Sequence, residues 1–131
     1  MSDVRRRFPI RYSGINAKLF PLLALPRSRA YVELDDDSLR VQLGWGFSAR
    51  IPLRSVQGAQ RGPDVSGITA GAHGWRGRWL VNGSRQGIIR LDIDPPVRAW
   101  TLAIPVRLRR LDVSLEDPDG FLTALGVSAA P

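Results

Sequence analysis

The stretch EDPDGFLTALG, residues 116–126, is a complete helix signal in a chain that otherwise reads as strand and turn. Asp117 has the short acceptor side chain of an N-cap, and Pro118 suits the first helical position, where its missing N–H is no loss. Phe121, Leu122 and Leu125 form one apolar stripe, and Gly126 is placed to close the last turn. The expectation is a helix over about residues 117–126.

Upstream the apolar period is two, not 3.6. Tyr31 to Asp35 and Leu39 to Trp45 read as strands joined by the turn Asp35-Asp36-Asp37-Ser38. Leu39, Val41, Leu43 and Trp45 face one way, Arg40 and Gln42 the other. After the turn Gly44-Trp45-Gly46-Phe47 comes a strand with Phe47, Ala49, Ile51 and Leu53 inward and Ser48 and Arg50 outward. Val56 to Gln60 is a further strand, and Phe8 to Tyr12 a short edge strand in which Pro9 is tolerable. Residues 15–25 form an apolar segment that Pro21 keeps from being one long helix.

Residues 61–74, rich in glycine and punctuated by Pro63, read as the longest loop. Strands resume at Arg78 to Asn82 and Gly87 to Ile93, and Pro95-Pro96 reads as a break. Trp100, Leu102 and Ile104 alternate with Thr101 and Ala103, whereas Leu111, Val113 and Leu115 have the opposite parity. A turn, bulge or break is therefore expected at Pro105. The count is about seven antiparallel strands and one C-terminal helix in a single domain over 1–131, with residues 1–7 a loose start. The expected core is Leu39, Val41, Leu43, Ile51, Trp79, Val81, Ile89, Leu91, Val113 and Leu115, with Phe121 and Leu125 packed onto it.

Composition narrows the chemistry. At 131 residues the chain can bury a core without metal or disulfide, and it has no cysteine. Thiol catalysis and cysteine-based zinc sites are excluded. The apolar run Leu19 to Leu25 is far shorter than the ~20 residues that span a bilayer. Arg5, Arg6 and Arg7 ahead of it imitate a signal peptide, but Lys18, Pro26 and Arg27 around the run do not fit one. The expectation is a soluble, cytoplasmic protein with no transmembrane segment.

The net charge is +7, carried by 18 arginines against the single Lys18. A basic patch attracts phosphate; arginines spread along the outer faces of strands also serve solubility alone.

The phrases FPIRY (8–12), GWGFSARIPL (44–53), HGWRGRWLVNGS (73–84) and LDVSLEDPDGF (111–121) are similar to those of small bacterial proteins of unknown function. Hairpins closed by a C-terminal helix resemble the pleckstrin-homology-type (PH-like) split barrel, including its uncharacterised bacterial versions. The resemblance covers residues 8–126 and implies a mainly β barrel of binding-module type, without an assigned chemistry. Phosphoinositide-binding relatives present Lys and Arg between their first two strands. Here that loop is read as Asp35-Asp36-Asp37, which repels phosphate.

The densest chemistry lies in the glycine-rich run His73 to Trp79, with the only histidine, Trp75, Arg76, Arg78 and Trp79. Glycine amides can cradle an anion, guanidiniums can pair with it and indoles can stack on a flat ligand. The competing reading makes Trp79 core and the glycines loop-formers. Candidate ligand-binding residues are His73, Trp75, Arg76 and Arg78, with Arg50 and Arg54 beside them.

Other motifs fail. One histidine cannot build a zinc site, no G-x-S-x-G frame accompanies it, and Asp117-x-Asp119-Gly120 lacks the acid of a calcium loop. Asp92 and Asp94 read as solvated carboxylates. No catalytic residue, metal or cofactor is expected.

Three functions stay open. They are a non-catalytic module for an unknown protein or peptide partner, a binder of a small anion at His73–Arg78, and non-specific nucleic-acid association through surface arginines. Specific nucleic-acid binding is not expected, and an enzyme is the weakest class.

Overall fold

The computed structural model describes residues 6–11, 30–44, 46–62, 71–75, 77–82 and 86–129; for 71–75, 82 and 127–129 it describes the backbone alone. The segment 15–25, Trp45 and Arg76 lie outside the described residues.

Period-two alternation becomes strands β1 (Arg6–Pro9), β2 (Ala30–Leu34), β3 (Ser38–Leu43), β4 (Phe47–Pro52) and β5 (Val56–Arg61), with a 3-10 turn Leu53–Ser55 between the last two. After them come β6 (Gly71–Trp75), β7 (Arg78–Asn82), β8 (Ile88–Thr101), β9 (Ile104–Ser114) and helix α1 (Pro118–Ala129). These nine strands form one sheet in the order β1-β2-β3-β4-β8-β9-β7-β6, with β5 also on β8. The protein is mainly β with one C-terminal helix. Among the described residues no helix is long and apolar enough to cross a membrane.

β8 organises the sheet. Its first half pairs with β5 from Ile89 to Ile93, its second half with β4 from Ala99 to Thr101, and its other edge runs along β9. The expected break at Pro95-Pro96 is instead a bulge inside β8. No ladder pairing falls between Asp92 and Val97 on β9, or between Ile93 and Ala99 on the other edge, so the missing proline N–H groups leave no gap.

The parity change expected at Pro105 also moves. Leu108 and Leu111 are both fully buried, and between them the N–H groups of Arg109 and Arg110 both donate to the Gly77 carbonyl, at 2.7 and 3.1 Å. The loop expected over 61–74 is shorter at both ends, because β5 runs to Arg61 and Gly71–Trp75 pairs with β7 as β6. β7 and β9 pair in parallel, not antiparallel as expected. The Asp35–Asp37 turn, read as the loop between the first two strands, joins β2 and β3.

The core is the inner face. Of the ten strand residues expected there, nine are buried; Trp79 is half-buried at its rim, its ring 5.9 Å from that of Phe47. Helix α1 starts as its sequence dictates, with the Gly120 N–H donating to Asp117 Oδ1 at 3.0 Å. It seats Phe121, Ala124 and Leu125 in the core, and Phe121 meets Phe8 edge-on at 5.3 Å. It does not stop at Gly126 but continues to Ala129. The end of β1 also reaches the end of β9: Arg11 N–H donates to the Ser114 carbonyl and Glu116 N–H to that of Pro9, around an Ile10–Leu115 bridge.

Where alternation continued through Leu102 and Ala103, the chain instead turns back on itself. Both residues have positive φ, 49° and 66°. This is the hairpin conformation that Asn-Gly adopts readily and that costs other L-residues roughly 1–2 kcal/mol each. Replacing Leu102-Ala103 by Asn-Gly will therefore raise unfolding stability by about 1 kcal/mol, after allowance for the entropy of the added glycine. Denaturant titration of the two proteins checks this.

Candidate functional site

The outer face of the sheet carries the chemistry. On β3 and β4 the outward residues are Arg40 and Gln42, then Ser48 and Arg50, and the register sets Arg40 beside Arg50 and Gln42 beside Ser48. β4 continues onto β8, where Ser48 lies beside Trp100 and Ala49 beside Ala99, the residue that follows Arg98. β9 adds Arg107 opposite Arg98 and Pro105 opposite Trp100. Paired strands lie about 4.8 Å apart, and two rows run across the sheet, the step from Arg98 to Arg50 falling just past the last β4–β8 pair and bridged by the groove that both line. One is Arg107, Arg98, Arg50, Arg40. The other is Pro105, Trp100, Ser48, Gln42, Tyr31.

Between the rows lies an open groove of about 380 Å³. Trp100 and Tyr31 mark its ends, Ser48 and Gln42 its floor, and Arg98, Arg50 and Arg40 one side. A second hollow of about 380 Å³ continues past Arg98 to Arg107 and Pro105. The ends differ. Tyr31 is covered by the Arg7 guanidinium, 3.9 Å above its ring, while Arg7 also donates to Glu33 Oε2 at 2.8 Å. Trp100 is 44% exposed.

The electrostatics are one-sided. Glu33 stands beside Arg40 in register, but its carboxylate is engaged by Arg7 on the next strand. Among the described residues none of Arg40, Arg50, Arg98 and Arg107 has an ion-pair partner. Like charges directly opposite one another on adjacent strands are destabilising, and here the arrangement occurs twice, at Arg40–Arg50 and Arg98–Arg107. Elsewhere on the sheet the same geometry is neutralised. Arg90 faces Asp112 across β8 and β9 and makes a two-pronged pair at 3.0 and 3.1 Å. That hydrogen bonding, with the charges of Asp112 and Asp92, raises the Arg90 pKa above its already high ordinary value despite partial burial.

The residues singled out from sequence are divided between two regions. Arg50 lies in the basic row. Arg54 is exposed on the 3-10 turn, outside the groove. His73 and Trp75 occupy alternate positions of β6, facing Leu80 and Arg78 of β7 in register. Arg78 is exposed, and Arg76 lies outside the described residues. Arg50 shares its groove with Arg98, and β8 and β9 separate β4 from β7 and the His73 hairpin. Asp92 and Asp94 are exposed.

Sequence reasoning missed Arg40, Arg98, Arg107 and Trp100. A signal for the first existed, because the short turn after Leu43 makes outward Arg40 and Arg50 cross-strand neighbours. Arg98 and Arg107 become neighbours only once the hairpin turn is placed at Leu102-Ala103.

Comparison with known protein-family models, with curated proteins and with solved structures finds no match.

Proposed function

We propose that the protein is a non-catalytic binding module whose outer sheet face takes an anionic, phosphate-bearing partner. The observation behind this reading is the two cross-strand pairs Arg107–Arg98 and Arg50–Arg40, brought together by the groove that Arg98, Arg50 and Arg40 line and without carboxylate partners among the described residues. Guanidinium forks match phosphate geometry, and an anion lying across the row relieves repulsion that folding leaves in place. The face carries this reading, rather than the hairpin His73–Arg78, because three guanidiniums there border one groove. A PH-like split barrel is the architecture we propose for the module, supported by the terminal helix seated in the core and by the Ile10–Leu115 bridge between the end of β1 and the end of β9.

The test is a charge reversal. In Arg98→Glu the new carboxylate lies opposite Arg107 on β9, so stability will hold or rise by about 0.2–1 kcal/mol, the value of an opposite-charge cross-strand pair. Binding of inorganic tripolyphosphate, followed by calorimetry at low salt, will weaken by about tenfold or more, since a charged hydrogen bond is lost and a repulsion gained. Equal affinity in the wild type, Arg98→Glu and Arg50→Glu would remove the face from the function. Single-stranded DNA will bind without sequence preference. Its log K will fall against log salt with a slope near −3 if all four arginines meet phosphates, from about −0.7 per contact.

A further inference from the structure

Among the described residues, the large apolar side chains that stand most exposed, Trp100, Leu102 and Ile104, all lie at one place, the tip of the β8–β9 hairpin. Leu102 and Ile104 are 57% and 61% exposed. The turn itself puts an apolar Leu-Ala pair in a conformation that Asn-Gly would adopt with less strain. Folding therefore explains neither the exposure nor the choice of residues. The tip is also braced: Leu102 N–H and Thr101 Oγ1 both donate to the Gly46 carbonyl, at 3.3 and 3.1 Å, so the β3–β4 turn holds it in place.

Charge surrounds this apolar point. From Pro95 to Leu111 the chain has four arginines, Arg98, Arg107, Arg109 and Arg110, and no acidic residue. Arg98 and Arg107 face each other two positions behind the Trp100–Pro105 pair. Arg98 is four residues from Leu102, about 13 Å along an extended strand. An apolar element lying in a bilayer interface is buried about 5–10 Å into the headgroup and acyl boundary. With the tip at that depth, Trp100 falls at the headgroup level where indoles concentrate, and the two guanidiniums fall among the phosphates.

We propose that the hairpin tip inserts into the interface of an anionic lipid bilayer, with Leu102 and Ile104 entering the apolar boundary and Arg98 and Arg107 holding lipid phosphates. This rests on the anion-binding reading of the outer face and adds the source of the phosphate. Nucleic acid would use Trp100 as a stacking surface but has no use for Leu102 and Ile104, whose aliphatic side chains present no flat face. Stable membrane anchoring takes two signals together, and this hairpin offers both an apolar wedge and basic charge.

The experiment compares the full chain with Leu102→Asp, Ile104→Asp and Arg98→Glu in co-sedimentation with vesicles of phosphatidylcholine alone or mixed with phosphatidylglycerol. The wild type will bind the mixed vesicles and not the neutral ones. Leu102→Asp and Ile104→Asp will each lose about tenfold in vesicle affinity while binding tripolyphosphate like the wild type, because they remove apolar insertion and leave the arginine row. Lipids brominated along the acyl chain will quench fluorescence in the wild type and much less in Trp100→Phe. Vesicle binding unchanged in the two aspartate variants would overturn the insertion, as would tripolyphosphate binding with no vesicle binding at all. Loss of tripolyphosphate binding in the wild type would instead sink the reading of the face. A dimer in sedimentation velocity that Leu102→Asp dissolves would make the tip a self-association surface, and the proposal would fall.

Discussion

Phe121→Ala will destabilise the protein by about 3–5 kcal/mol, the range for truncating a fully buried phenylalanine. Phe121 has no exposed surface, and its ring meets Phe8 edge-on at 5.3 Å with an interplanar angle of 85°. Truncation removes the centre of the helix stripe and one half of an aromatic pair, and the cavity lies between a helix and a sheet that are each held by other contacts. It cannot collapse fully. Urea unfolding followed by far-ultraviolet circular dichroism measures the loss; a value under about 1 kcal/mol, typical of a site that gives way easily, would mean that the helix is not seated in the core.

Gly87→Ala will cost a comparable amount, about 2–5 kcal/mol, by a different route. Gly87 is buried with φ of 72°, a left-handed conformation that carries a penalty of about 1–2 kcal/mol for an L-residue. Its carbonyl accepts the Leu115 N–H at 2.9 Å, and a Cβ here would run into the Leu115 carbonyl oxygen. Separating two backbone segments in a packed interior adds about 1–3 kcal/mol. The displaced segment holds Leu115 and Glu116, which bridge to Ile10 and Pro9 just before the helix. Thermal and urea unfolding read the loss, and tripolyphosphate affinity at a temperature where the variant is folded will match the wild type, since Gly87 is remote from the arginine row. A stability equal to the wild type would show that the junction can open to admit a methyl group.

The two variants also separate what local sequence determines from what it leaves open. The helix start was legible at Asp117-Pro118 because capping is a matter of three or four consecutive residues, and the same holds for strand β7 at Arg78–Asn82 and for the buried parity of Leu39, Val41, Leu43 and Ile51. The helix end was not legible. Gly126 permits a stop without requiring one, and the helix passes through it to Ala129. Trp79 was expected inside and sits at the rim. Alternation specifies a face, while depth depends on where the residue falls along the sheet.

The candidate site depended on tertiary structure more than on motif. The glycines, histidine and tryptophan of residues 73–79 drew attention because they are close in sequence, yet β6 and β7 are paired strands at the far end of the sheet from Arg50. Sequence alone determined that Arg40 and Arg50 point outward, that the chain is mainly β, and that one capped helix closes it. Only the tertiary structure decided that Arg98, paired with Arg107, joins Arg40 and Arg50 on one groove and that Trp100, Leu102 and Ile104 form an exposed tip. The physical reason is that a period of two reports which way a side chain points but not which strand lies beside it. That neighbour is set by register, and register here depends on a bulge between Asp92 and Val97, a shared acceptor at Gly77 and a turn at Leu102-Ala103 that ordinary turn chemistry does not announce.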